Sequence, residues 1–339
     1  VTTFYLNNEK LKDFTQIWTN RILFEKILEK NLKYQCDIFL VRPSYENDNP
    51  FEVIGNLDTN VKVVIWYLDT IDKKTLMFIK GKIYSLCSKG FDLTLLLPEF
   101  YHDDEDTEYF ESKCKVINNY SMADCILEQQ QIDHKDIMTM RKNTTNIYRE
   151  KYFLSYNGNV KNHRVDLVNH IKRNNHLDKF DLSFSSFFWG GQEGSLHLDL
   201  KEKSYYTSTK LNLPIYFNSY FDVITAAKYD TNDVYIDEKV YKSFACFKPL
   251  LLIGQYNTLK VLKDLGFKTF DEIFDESYDN EKDNQKRLKL VLKEIDKISK
   301  MSKKQVDDLY HSVNNILDHN YTHLQRYIRK VDKDILEIF

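Results

Sequence analysis

The chain has 339 residues, 42% of them hydrophobic and 29% charged, a balance that excludes a disordered chain and leaves room for two domains of ordinary size. A net charge of −3 supplies no global field toward nucleic acid or anionic membrane. No stretch approaches the run of about 20 apolar residues that a bilayer-spanning helix requires.

Cys36, Cys87, Cys114, Cys125 and Cys246 stand without a C-x-x-C pair. This odd, scattered set argues against a disulfide framework or a structural zinc site, and for a reducing compartment. The opening segment, VTTFYLNNEKLKDF, has no apolar signal-peptide core. A cytoplasmic location is therefore expected.

From the N-terminus, apolar residues at Ile17, Ile22, Phe24, Ile27 and Leu28 predict an amphipathic helix over Thr15 to Leu32. Cys36 to Val41, Val61 to Leu68, Leu93 to Leu97 and Cys114 to Ile117 read as strands, with a helix over Thr75 to Cys87 and another over Ala123 to Gln131. Strands rich in Val, Ile and Leu and separated by helices predict a parallel sheet covered on both faces. In such a sheet ligands collect at the carboxyl ends of the strands, which places Arg42, Asp69 and Glu99 on the expected functional rim. Asp104-Glu105-Asp106 has the form of a metal-binding D-x-D, but an acid-rich loop with no further ligands nearby reads more simply as solvated surface. The chain contains no H-E-x-x-H, no G-x-x-x-x-G-K-[ST] and no G-x-G-x-x-G, which speaks against P-loop hydrolysis and a fingerprint-type NAD site.

A second unit is expected from Lys151. The strand Tyr152 to Ser155 runs into the turn Tyr156-Asn157-Gly158-Asn159-Val160-Lys161-Asn162-His163-Arg164, and Val165, Val168 and Ile171 then mark a helix ending near Asn174. Lys161 and Arg164 stand at that helix entrance, where free backbone N–H groups and the positive dipole end suit an anion; Arg164 could equally pair with a surface acid such as Asp166. A strand over Lys179 to Phe188 and a glycine-rich turn, Trp189 to Gly194, follow.

The stretch from Asp222 to Gly254 carries the clearest chemistry. It reads as a strand (Val223 to Ala227), a short strand (Val234 to Ile236), a helix capped by Asp237, and a strand (Leu250 to Ile253). Glu238 and Lys239 fall in the first turn of that helix, a natural seat for a phosphate, although acids there also fit ordinary dipole complementation with Lys239 solvated. Thr258 to Leu265 predicts a helix with Gly266 as its cap. Two final helices are expected: a Lys-rich one including Arg287 with a solvated outer face, and one opened by a Ser302/Gln305 capping box and carrying Val306 to Leu317.

Asn218-Ser219, Tyr235-Ile236-Asp237-Glu238-Lys239 and Pro249-Leu250-Leu251-Leu252-Ile253-Gly254 stand in the order of the asparagine–serine pair, Val-Thr-Glu-Lys helix start and Pro-Val-x-x-Gly strand of the α1,3-fucosyltransferases. With Asn159 to Arg164 and Leu259 to Phe270, the region from Tyr152 to Asn320 resembles that family and related glycosyltransferases of phages and large DNA viruses. The sequence departs from the pattern at Asp237, where Thr is usual, at Ala226–Ala227, where a Glu-Thr pair is usual, and at Asn157-Gly158-Asn159, in place of an Arg-rich turn.

The resemblance implies an α/β protein of the GT-B type. Two Rossmann-like domains, 1–150 on the acceptor side and 151–339 on the nucleotide-sugar side, would face a cleft, with helices at the C-terminus. It implies a nucleotide-diphosphate sugar as co-substrate with no cofactor or metal. The acceptor would be a hydroxyl on a glycan, a protein or a modified DNA base. Glu238 would hold the ribose, and Lys239 with Arg164 the diphosphate. The expected donor-binding set is Tyr156, Asn157, Asn159, Lys161, Arg164, Asn218, Ser219, Tyr220, Glu238, Lys239 and Lys242, with Asp69 or Glu99 as general base. The alternatives are a non-catalytic nucleotide- or nucleic-acid-binding protein on the same scaffold, and a metal-dependent enzyme using Asp104 and Asp106.

Overall fold

The structure, a computed structural model, describes residues 3–6, 9–10, 36–41, 51–67, 73–97, 109–110, 112–118, 126, 130, 133–145, 147–157, 160–184, 211–231 and 234–337. The chain divides into two compact units, Val1–Asp124 with Ile328–Phe339, and Cys125–Tyr327. The division thus falls earlier than the expected 150, and the last residues go with the first unit. Both units are α/β with parallel sheets.

The first unit contains β1 (Thr3–Leu6), β2 (Glu9–Lys10), β3 (Cys36–Val41), α1 (Phe51–Ile54), β4 (Lys62–Tyr67), α2 (Lys73–Ser88), β5 (Leu93–Leu97) and β6 (Lys115–Asn118). They form one sheet in the order β2-β1-β3-β4-β5-β6, parallel throughout except for β2, which runs against β1 at the edge. Every residue of β5, and every residue of β4 after Lys62, is buried, which is why these strands read as continuous apolar runs rather than alternating ones. Ile65 and Leu95 meet Ile83 of α2 in the core. The β1–β2 hairpin has no counterpart in the sequence reading. The helix predicted over Thr15 to Leu32 lies outside the described residues, as does most of Ala123 to Gln131.

The second unit contains α3 (His134–Thr144), β7 (Lys151–Asn157), α4 (Asn162–Arg173), β8 (Phe180–Phe184), α5 (Leu213–Asn218), β9 (Ser219–Thr225), α6 (Glu238–Ala245), β10 (Leu250–Ile253), α7 (Thr258–Asp264), α8 (Asn284–Ser299), α9 (Lys303–Ser312) and α10 (Asn314–Leu336). The sheet order is β10-β9-β7-β8, all parallel. All four strands therefore end on the same edge, at Asn157, Phe184, Thr225 and Ile253. That edge is where a parallel α/β sheet offers a ligand site.

Four differences from the sequence reading matter. First, β9 begins at Ser219 rather than Val223, because Ser219 pairs with Lys151 and Phe221 with Phe153. The predicted strand at Val234 to Ile236 is reduced to a single bridge at Val234. The final predicted helix is two, broken at Val313; the apolar stripe of Val306, Tyr310, Val313 and Leu317 stays buried across the break, so its period carried no sign of one. Finally, Arg287 of the Lys-rich helix is 2% exposed and not solvated.

Gly266 closes α7 as predicted, at φ +90°, and an added Cβ would stand 2.8 Å from the His323 ring. That ring and the His319 ring sit there to donate N–H bonds to the Leu265 and Gly266 carbonyls (2.9 and 3.0 Å). Among the described residues, no helix is long and apolar enough to cross a membrane.

Candidate functional site

The carboxyl edge of the second sheet gathers three strand-to-helix turns, β7 to α4, β9 to α6 and β10 to α7. Each presents the unsatisfied N–H groups of a helix start, and they differ in what fills them.

At the first turn Lys161 is in the N-cap position; its own side chain makes no capping hydrogen bond, and the first turn of the helix holds no acid. Lys161 Nζ donates to the Ala227 carbonyl. Arg164 lies almost fully buried along the end of β9: its Nε donates to Thr225 Oγ1 (3.1 Å), and its Nη2 to the carbonyls of Thr225 (3.3 Å) and Ala226 (3.4 Å). Thr225 in turn donates its hydroxyl proton to Asn157 Oδ1 (2.8 Å), and Asn157 Nδ2 donates to Ser155 Oγ (3.1 Å). A buried relay from β7 through β9 thus sets the plane of the guanidinium. The Ala226–Ala227 pair, which looked like a loss of polar side chains, works through its backbone instead.

His163 completes this turn. Its Nε2–H donates to the Ala226 carbonyl at 3.2 Å, and its ring stacks on Tyr229 at 4.6 Å between centroids. Burial, then the neighbouring Arg164 cation, push its pKa down to about 4. Lys161 is also pulled below the ordinary lysine value, first by burial and then by Arg164, Lys239 and Lys228. Lys161, Arg164, Lys239 and Lys228 thus repel one another along this edge.

The His163 shift makes stability pH-dependent. Because the folded pKa lies below the unfolded value of 6.5, the unfolded chain takes up the proton first, and stability falls as pH drops from 6.5 to about 4. Neutral His163 is worth about 3 kcal/mol over that window. His163→Phe keeps a ring over Tyr229 and removes the titration. Urea unfolding at pH 7 and pH 4 is expected to show a smaller loss of stability on acidification in the variant than in the wild type.

At the second turn Asp237 caps α6 as predicted, accepting the Lys239 N–H at 3.1 Å. Its carboxylate also takes Lys239 Nζ (2.8 Å) and the Ala227 N–H (3.2 Å). Lys239 is mostly buried; burial alone would lower its pKa, but Asp237 and Glu238 outweigh it and hold the ammonium above the ordinary value. Glu238 Oε1 is 3.6 Å from the same ammonium. Lys242, one turn on, is buried and pulled down by that burial, with Glu238 opposing and Lys239 adding to it.

At the third turn, buried Asp279 fills the start of α7, accepting the N–H groups of Leu259 (2.9 Å) and Lys260 (3.0 Å). Behind it Arg287 donates from Nε to the Gly254 carbonyl and from Nη1 to the Glu281 carbonyl, both at 2.8 Å, with its guanidinium carbon 5.0 Å from the centre of the Tyr229 ring. Arg287 therefore fixes the exit of β10 and, through Tyr229, backs His163. In the sequence it stands among lysines on a helix, with nothing to set it apart from them.

The structure thus brings together Asn157, Lys161, Arg164, Glu238, Lys239 and Lys242 of the predicted set, and adds Thr225, His163 and Asp237. Asn218, Ser219 and Tyr220 stand apart from them. Ser219 opens β9 six residues before Thr225, about 20 Å away at the strand rise. Asn218 Nδ2 donates to Asp181 Oδ2 (2.9 Å), Ser219 accepts from Lys248, and the buried Tyr220 donates its hydroxyl to Asp307 Oδ1 (2.9 Å). Tyr156 alternates away from Asn157 onto the other face of β7, where its ring is 5.9 Å from that of Tyr216. Asp69, Glu99 and Asn159, like Arg42, Asp104 and Asp106, lie outside the described residues. No protein-family model, curated protein or solved structure matches the chain.

Proposed function

We propose that the chain is a GT-B type glycosyltransferase that takes a sugar from a nucleotide-diphosphate donor and passes it to a hydroxyl acceptor on a glycan, a protein or a modified DNA base. The observation that carries this reading is the start of α4, where the N-cap Lys161 side chain makes no capping bond, the first turn holds no acid, and Lys161 and Arg164 are held against the end of β9. A donor phosphate would give these cations a charge-assisted contact, stronger than those they make to the carbonyls of Thr225, Ala226 and Ala227. Arg164 and Lys161 then bind the diphosphate, Lys239 lies at the neighbouring helix start to neutralise the leaving group, and Glu238 is available to ribose hydroxyls. Cations and helix starts of this kind stabilise developing phosphate charge without further chemistry from the protein. Asp69 and Glu99 remain the candidates for the base that activates the acceptor.

The test is a thermal-shift screen of the purified chain against UDP-, GDP-, ADP-, TDP- and CMP-sugars, followed by turnover with whichever nucleotide shifts it. A raised midpoint with one nucleotide, reduced in Lys239→Ala, is expected. Unchanged midpoints with every nucleotide would sink the reading. Binding without transfer or hydrolysis would instead make the chain a non-catalytic nucleotide-binding protein, a role that the internal Lys239–Asp237 pair also suits.

A further inference from the structure

Around α2 the sequence from Lys73 to Gly90 holds five lysines and no acid, in a chain whose net charge is −3. Ile79, Ile83 and Leu86 form the inner face of the helix, buried in the core of the first unit. Its flanks carry rings that the core does not take up: Phe78 is 47% exposed and Tyr84 56%. Two such rings on one basic helix exceed the scattered apolar surface that any folded protein shows.

Each ring has a lysine beside it. Lys82 Nζ lies 5.4 Å from the centre of the Phe78 ring and Lys113 Nζ, from the turn before β6, 5.7 Å from that of Tyr84. Among the described residues, Lys82, Lys89 and Lys113 form no ion pair with a carboxylate. Next to Phe78 a groove of about 400 Å³ runs between α1 and α2, lined by Phe51, Glu52, Asn56, Lys82, Ser85 and Lys89. At about 100° per residue the two rings lie about 120° apart around the helix, and the crest between them is Gly81, Ser85 and Ser88, all exposed. A Cβ added at Gly81 would meet nothing within 4 Å, so this crest is low and open.

We propose that this face of α2 binds single-stranded nucleic acid, with bases stacked on Phe78 and Tyr84 and the phosphodiester backbone crossing the crest along Lys82, Lys89 and Lys113. Exposed rings interleaved with cations are the pairing that takes bases and phosphates together. A single strand bares the π-faces of its bases, whereas a duplex keeps them stacked on one another. The small crest lets a flexible strand pass from one ring to the other. A polyanion without bases would use the lysines and leave the rings idle. The surface belongs to the first unit, so its failure would leave the reading of the second unit untouched.

The experiment is fluorescence anisotropy of the full chain with a labelled oligothymidylate of about 20 nucleotides, with a duplex of the same length, and with inorganic polyphosphate as competitor. The single strand is expected to bind at least about tenfold more tightly than the duplex. Phe78→Ala and Tyr84→Ala are each expected to weaken it about tenfold. Lys82→Gln combined with Lys113→Gln is expected to flatten the slope of log K against log salt by about 1.4, two phosphate contacts at about 0.7 each. Gly81→Glu places an acid on the open crest without removing any contact of the fold, and is also expected to weaken binding about tenfold. A folding defect in a ring variant therefore does not decide the matter.

Equal affinity for strand and duplex would overturn the proposal, because the rings would then contribute nothing. So would unchanged affinity in both ring variants, wild-type affinity in Gly81→Glu, or competition by polyphosphate as strong per phosphate as by the strand itself. Absence of binding at low salt would overturn it outright.

Discussion

Replacing Lys248 with methionine is expected to lower the stability of the second unit by about 3–5 kcal/mol, the cost of leaving a buried charge without its partner. Lys248 is fully buried, and its ammonium lies 2.9 Å from Asp222 Oδ1, 3.1 Å from the Tyr216 carbonyl and 3.2 Å from the Ser219 carbonyl. Burial pulls the Lys248 pKa down and pushes the Asp222 pKa up, each against the attraction of the other. Desolvation therefore outweighs the Coulomb gain on both sides. The pair makes little net contribution to stability, but either half alone is costly.

Urea unfolding of Lys248→Met, Asp222→Leu and the double variant checks this, with the double expected to be far less destabilised than the sum of the singles. An additive double would mean that the two groups do not depend on one another. The backbone explains how a lysine comes to be there. α6 ends with Phe247 in the left-handed region at φ 53°, with the Lys248 N–H returned to the Ser243 carbonyl at 2.9 Å, and this reversal turns Lys248 inward. The non-glycine residue costs about 1–2 kcal/mol in that conformation. Its ring is stacked on Tyr321 at 4.3 Å and covered by Arg141 at 3.7 Å, contacts that offset the strain.

On the proposed function, Arg164→Met is expected to reduce kcat/KM for donor turnover about 10²–10³-fold, the usual cost of losing one preorganised group that stabilises transition-state charge. Arg164→Lys is expected to recover little, because Nε and Nη2 hold Thr225 and Ala226 at once and a lysine ammonium has no such fork. The substitution also strands buried carbonyls, so the comparison is made well below the melting midpoint of each variant. Thr225→Val separates positioning from folding. It keeps the shape of the side chain and removes both the proton given to Asn157 and the acceptor for Arg164 Nε, and Thr225→Ser is expected to restore activity. Steady-state kinetics at saturating and limiting donor checks the set, and full turnover in Arg164→Met would remove Arg164 from the site.

Local features were legible in the chain. Cys36 to Val41, Leu93 to Leu97 and Leu250 to Ile253 are strands with the predicted bounds, because an apolar run of strand length between turn residues has one low-energy use in a covered parallel sheet. The Asp237 cap, the Ser302/Gln305 capping box and the Gly266 stop followed from residue types at fixed short spacing. The α4 entrance with Lys161 and Arg164 was legible for the same reason. Each of these depends on atoms within a few residues of one another.

What fills each turn was decided only in three dimensions. Arg164 meets Thr225 across 61 residues, Arg287 meets Gly254 across 33, and Asp237 reaches back ten residues to the Ala227 N–H. Asn218, Ser219 and Tyr220 went to the far end of β9 because pairing with β7 draws its start back to Ser219. Periodicity and caps tell which face of an element is buried and where it begins. The partner waiting there is chosen by the packing of distant segments, because a buried charge must find hydrogen bonds wherever the fold supplies them.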